Sequence, residues 1–106
     1  MSSKFGLVVR FTLKPDHGDA FDELVSETLP GIREEEPGTL IYTCQTVQDA
    51  PNERIFYEVY ADRAAFDAHE EQPHVKRFLA DREQHLDRVD VDFVTVTDGK
   101  GLPAGG

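Results

Sequence analysis

The chain has no tryptophan, a single cysteine, and only 11 lysines and arginines against 21 aspartates and glutamates, for a net charge of −10. One cysteine, Cys44, rules out an internal disulfide and fits a reducing, cytoplasmic setting. The acidic surplus repels phosphate backbones and anionic lipid, so neither nucleic acid nor a membrane surface is an expected partner. No apolar run approaches the ~20 residues needed to cross a bilayer. Met1-Ser2-Ser3-Lys4 leads straight into a strand-like pattern, without the architecture of a signal peptide. A glycine-rich phosphate loop is missing too, because Gly99-Lys100-Gly101 has no helix after it, and the absence of a dinucleotide fingerprint argues against a bound nicotinamide. A helical metal pair wants two histidines three or four positions apart. His69 and His74 are five apart with Pro73 between them, and Glu70 or Glu71 would have to complete the site. No metal and no cofactor is expected.

What is present suffices for one core: 106 residues with 39% hydrophobic content. Phe5, Leu7, Val9, Phe11 and Leu13 alternate with Gly6, Val8, Arg10 and Thr12, the period of a strand. Lys14-Pro15-Asp16-His17-Gly18 breaks that run, with Asp16 as the expected helix cap. Phe21, Leu24, Val25, Leu29 and Ile32 then recur at helical spacing until Pro37-Gly38, with Pro30-Gly31 weakening the last turn. A second strand is expected over Thr39 to Val47, a turn over Gln48 to Asn52, and an antiparallel third strand over Glu53 to Tyr60. Asp62 caps a helix carrying Ala65, Phe66 and His69, and Pro73 opens a further helical piece with Val75, Phe78, Leu79 and Leu86. The alternation of Val89, Val91, Phe93, Thr95 and Thr97 closes the pattern with a fourth strand.

The order βαββαβ describes an α+β, ferredoxin-like split βαβ sandwich, four antiparallel strands with the helices on one face. One domain is expected over residues 1–98, followed by a mobile Gly/Pro tail at 99–106. Val8, Ile41, Val47, Val94 and Val96 give the face away from the helices an apolar character as well. A sheet with two apolar faces needs two covers, and a second copy of the chain packed sheet to sheet is the simplest one. A homodimer is expected.

The chemistry concentrates between residues 58 and 78, where Glu58, Tyr60, Phe66, His69, His74 and Phe78 fall within about twenty positions. Glu36-Pro37-Gly38-Thr39-Leu40-x-Tyr42, with Glu58-x-Tyr60, Ala65-Phe66-x-x-His69 and His74-x-x-x-Phe78, resembles the antibiotic biosynthesis monooxygenase family over about residues 4 to 98. The resemblance implies a dimeric α/β barrel whose substrate sits in the cleft between sheet and helices. Its relatives include anthrone-type and quinol monooxygenases, haem-degrading enzymes and an isomerase. Haem degraders are similar to one another in carrying an asparagine on the first strand and a tryptophan on a helix. This chain has neither, and that branch is set aside.

Each residue carries two readings. His69 is either a hydrogen-bonded core group or a neutral imidazole that takes a proton from an acidic phenol in a dry pocket. His74 lines the same mouth or caps its helix. Tyr60 plugs the core or donates to a substrate oxygen. Glu58, on Tyr60's face, forms an ion pair with Arg54 or Arg10, or takes part in binding. Tyr42, Phe66 and Phe78 are aromatic walls or ordinary packing. Cys44 lacks an electropositive surrounding and is expected to be inert, and His17 and His85 receive no role. The function implied is a cofactor-independent monooxygenase that oxidises an electron-rich aromatic, anthrone- or hydroquinone-like, with O₂. The alternatives are a proton-shuttling isomerase or lyase on a small oxygenated metabolite, and a dimeric barrel that binds without catalysis.

Overall fold

Period-two alternation in β1 (Phe5–Leu13) sends Leu7, Val9, Phe11 and Leu13 to one side of the sheet, where all four are buried. The computed structural model describes residues 4–101. After β1 come α1 (Gly18–Glu35), β2 (Thr39–Val47), β3 (Ala50–Tyr60), α2 (Arg63–Glu70), α3 (Pro73–Asp81), a 3₁₀ turn (Arg82–His85) and β4 (Leu86–Thr95). The strands form one antiparallel sheet in the order β2-β3-β1-β4. This is the expected α+β, ferredoxin-like arrangement, with its second helical segment broken in two before Pro73. Residues 1–3 and 102–106, which include most of the expected tail, lie outside the described residues. Among the described residues no helix is long and apolar enough to cross a membrane.

Three boundaries differ from the sequence reading, each for a local reason. Asp16 does not cap α1; it takes a left-handed φ of 66° to turn the chain, a conformation aspartate tolerates, and His17 occupies the cap position without a side-chain capping bond, its ring paired instead with His85. The β2–β3 connection is the two-residue turn Gln48-Asp49, with Asp49 at φ 64°, so β3 begins at Ala50 rather than Glu53. Pro51 is accommodated because β1 first pairs with β3 at Glu53, leaving one edge of the earlier residues unpaired. The fourth strand starts at Leu86, earlier than its alternation suggests. The Asp62 cap is as expected: its carboxylate accepts the Ala65 N–H at 2.9 Å.

Register fixes the two faces of the sheet. Directly opposed residues share a face, so Leu7 with Glu58 and Phe93, Val9 with Phe56 and Val91, and Tyr42 with Glu58 all point toward the helices. Phe21 and Val25 of α1, Phe66 of α2 and Phe78 of α3 complete the core from above. Phe56 is its centre, with ring centroids 4.7 Å from Phe11, 5.5 Å from Tyr42 and 6.0 Å from Phe78. The opposite face carries Val8, Ile41, Ile55, Tyr57 and Val94 beside Arg10 and Glu53, and none of the described helices covers it.

Candidate active site

Between the inner face of the sheet and α2–α3 lies a cavity of about 150 Å³. Leu7, Val9 and Phe56 form its floor and Phe66, Val75 and Phe78 its roof. Tyr42, Glu58, His69, Glu70 and Arg82 supply polar groups along its wall. Val91 and Phe93 of β4 stand at its mouth, 44% and 62% exposed, which leaves the chamber open along that edge of the sheet. Of the residues singled out from the sequence, Tyr42, Glu58, Phe66, His69 and Phe78 line this space. Tyr60 and His74 do not.

Tyr60 is fully buried behind the wall, and its hydroxyl donates to Glu58 Oε1 at 2.6 Å. Its ring centroid lies 5.1 Å from that of His69, so the two rings are neighbours although only the imidazole reaches the chamber. Glu58 therefore takes its partner from its own strand. Arg54, one of the two expected, is held by Asp22 through bonds of 2.8 and 3.0 Å, and Arg10 lies on the other face against Glu53. Burial pushes the Glu58 carboxyl above its usual range, more strongly than the Tyr60 hydrogen bond lowers it. Burial, reinforced by the Glu58 charge, also raises the Tyr42 and Tyr60 phenols, so both remain neutral donors at physiological pH.

The raised Glu58 carboxyl makes a testable statement about stability. Over the window from the ordinary unfolded carboxylate value, about 4.3, up to its own folded value, the native state binds the extra proton. Stability from this group is then full at low pH and falls as pH rises through that window. Glu58→Gln keeps an acceptor for Tyr60 and removes the charge. Urea midpoints should be higher for the variant than for the parent at pH 8, with the gap closing at pH 4; a gap that widens on acidification contradicts the assignment.

His69, on α2, is 4% exposed in its side chain, and its Nδ1 lies 2.6 Å from Glu36 Oε1. Glu36 follows the end of α1, where Pro37-Gly38 turns the chain toward β2. Its Oε2 lies 2.5 Å from His74 Nε2, and Thr39 Oγ1 donates to Oε1 at 2.7 Å. His74 thus neither lines the mouth nor caps α3, whose cap position is Gln72. Among the described residues no group of three or more His, Cys, Asp and Glu side chains is arranged to hold a metal ion. The two rings of this cluster are taken up by the carboxylate.

Sequence reasoning assigned no role to two residues that matter here, Glu36 and Arg82. Arg82 begins the turn after α3, four positions beyond Phe78, and so shares that residue's face. Its guanidinium lies 5.3 Å from the Phe11 ring centroid and 5.8 Å from that of Phe78. Its Nε is buried and has no hydrogen-bond partner, and burial lowers its pKa. A guanidinium has five N–H groups and no acceptor of its own, so this one can receive a ligand oxygen. Helical spacing to Phe78 was the available signal. For Glu36 the signal was its place at the head of the Glu36-Pro37-Gly38-Thr39 motif, while its partners, 33 and 38 positions away, gave no local one.

A second groove, between α1 and β2, contains Cys44 and the Asp22–Arg54 pair. Burial pushes the Cys44 thiol up to about 11, in keeping with an inert cysteine. The pair there is already bidentate, which leaves little for a ligand.

Residues 4–81 match the model of the antibiotic biosynthesis monooxygenase family. The chain belongs to that family. Solved structures with the same fold include the Rv0793 protein of Mycobacterium tuberculosis, 27% identical, with 93% of this chain and 100% of that one covered and a TM-score of 0.84. A protein of Caulobacter crescentus, named as a candidate antibiotic biosynthesis monooxygenase, is 16% identical over 92% of each chain with a TM-score of 0.86. A similarly named protein of Chloroflexus aurantiacus is 20% identical over 95% of this chain and 100% of its own, at 0.83. No curated protein matches the chain. Membership in a monooxygenase family and the fold are thereby established, and they suggest an enzyme; the substrate is a matter for the chamber itself.

Proposed function

We propose that the protein is a cofactor-independent monooxygenase acting on a single electron-rich ring of the hydroquinone type. The observation that carries this reading is a largely apolar chamber, open only along the β4 edge, that His69 lines while its Nδ1 is held by a buried carboxylate. Size favours one ring over three. An apolar protein cavity of about 150 Å³ is known to accept benzene, and the chamber has about that volume. A tricyclic anthrone would have to protrude past Val91 and Phe93.

The chemistry balances without an added reductant. His69 removes a phenolic proton, and the resulting anion passes one electron to O₂. Superoxide and semiquinone combine at a ring carbon, and loss of water leaves a hydroxyquinone: one hydroquinone and one O₂ give one hydroxyquinone and one water. Arg82, which lines the chamber, offers guanidinium N–H groups to the developing oxyanion, and Phe66 and Phe78 hold the ring flat and exclude water. Tyr60 acts through Glu58 rather than on the substrate. An oxygen electrode with hydroquinone and ¹⁸O₂ tests this. One labelled oxygen per product is expected, at a rate far above autoxidation. Substrate turnover without O₂ uptake would move the protein to the isomerase class, and no turnover to the binding class.

The uncovered sheet face belongs to the same proposal. Val8, Ile55 and Tyr57 sit side by side on it across β1 and β3, and a second copy of this chain supplies the matching apolar surface. Sedimentation at micromolar concentration should give a dimer for the parent and a monomer for Val8→Asp, because two carboxylates would be buried at the interface. A monomeric parent removes the dimer from the account.

A further inference from the structure

Glu36 lies outside the chamber, yet its carboxylate is among the most heavily bonded groups described. Its side chain is 3% exposed and takes three donors, from Thr39, His69 and His74. A buried carboxylate accepts only, so each ring nitrogen facing it presents an N–H. For His69 that places the proton on Nδ1 and the lone pair on Nε2. We infer that Glu36 and His74 are positioning residues for His69: together they hold its ring in the one tautomer whose Nε2 can take a proton inside the chamber, which leaves His74 no part as the base. The inference rests on the reading of His69 as proton acceptor.

Two glycines show that the arrangement is built into the packing. A Cβ on Gly31, in α1, would lie 2.6 Å from Cγ and Nδ1 of His74, so the ring occupies the space a side chain would fill. Glycine inside a helix costs about 1 kcal/mol relative to alanine, and here it admits the imidazole. A Cβ on Gly38 would lie 2.6 Å from the Cβ of Ala65, which presses the Glu36–Thr39 corner onto the helix that bears His69. The Ala61 N–H donates to the Gly38 carbonyl at 2.9 Å and ties that corner to the end of β3. His74 is the member of the trio nearest solvent, 11% exposed against 4% for His69 and 3% for Glu36. When Nε2 of His69 accepts a proton, Nδ1–H stays on Glu36, and the imidazolium forms beside a fixed negative charge. No proton needs to move to the carboxylate.

The test pairs histidine ¹⁵N NMR with steady-state kinetics on hydroquinone. NMR of the parent near pH 8 should show His69 protonated at Nδ1 and bare at Nε2. Glu36→Gln should redistribute that tautomer and lower kcat by roughly 10²–10⁴-fold at similar KM, the range for a general base in the wrong tautomer. His74→Gln, which can still donate to Glu36, should keep most of the parent's kcat, and His74→Leu should lose roughly tenfold or more. Gly31→Ala, which displaces the ring without removing it, should fall between these two. An unchanged His69 tautomer in folded Glu36→Gln overturns the inference, and so does a parent His69 protonated at Nε2 and bare at Nδ1. So does a loss in His74→Gln as large as in His69→Ala. The NMR result needs no turnover, so it stands even if hydroquinone proves not to be a substrate.

Discussion

His69→Ala should lower turnover of hydroquinone by roughly 10²–10⁴-fold, the usual contribution of a general base, with KM changed far less. The ring reaches the chamber with one nitrogen committed to Glu36, and no other described imidazole lines that space. Glu58 and Glu70 are the carboxylates that also line the chamber, and Glu58 already accepts from Tyr60 while burial opposes its ionisation. Truncation leaves Glu36 bonded to Thr39 and His74, so the buried charge keeps partners and the fold should survive. Added imidazole, small enough to enter the vacated space, should restore part of the rate. Oxygen uptake measured with and without imidazole checks both statements, and a variant within twofold of the parent removes His69 from the chemistry.

Phe56→Ala should cost about 3–5 kcal/mol, the range for deleting a buried phenyl ring. Its ring is 1% exposed and meets Phe11, Tyr42, Phe78 and Phe21, so no neighbour can close the void without leaving its own contacts. Typical domains have only about 5–15 kcal/mol in total, so the variant should be near its unfolding threshold at 37 °C. Urea unfolding should show a large fall in midpoint at constant slope. A loss below about 1 kcal/mol would mean that the core is not centred there.

Local signals in the sequence carried most of the architecture. The β1 alternation, the helical spacing of Phe21, Val25 and Ile32, the Asp62 cap and the break at Pro73 all act over a few residues, and the structure has each of them. Partner choice was not local. Arg54 and Glu58 share a face, as their even spacing suggests, but Asp22 on α1 claims the guanidinium across 32 positions. Arg10 was unavailable because register sets it on the outer face with Ile55. The aromatic walls Tyr42, Phe66 and Phe78 were legible as apolar residues on inward faces. The roles of Glu36 and Arg82 were not: Glu36 was legible only as part of the Glu36-Pro37-Gly38-Thr39 motif, and an arginine after a helix reads as surface charge until the fold brings rings over it.

The most direct measurement is an anaerobic NMR titration with hydroquinone, which reports where a ring binds before any oxidation. Perturbations should concentrate on Leu7, Val9, Phe66, His69, Phe78 and Arg82, the residues around the chamber. Perturbations confined to Val25, Leu29 and Cys44 in the groove between α1 and β2, or none at millimolar ligand, would contradict the account.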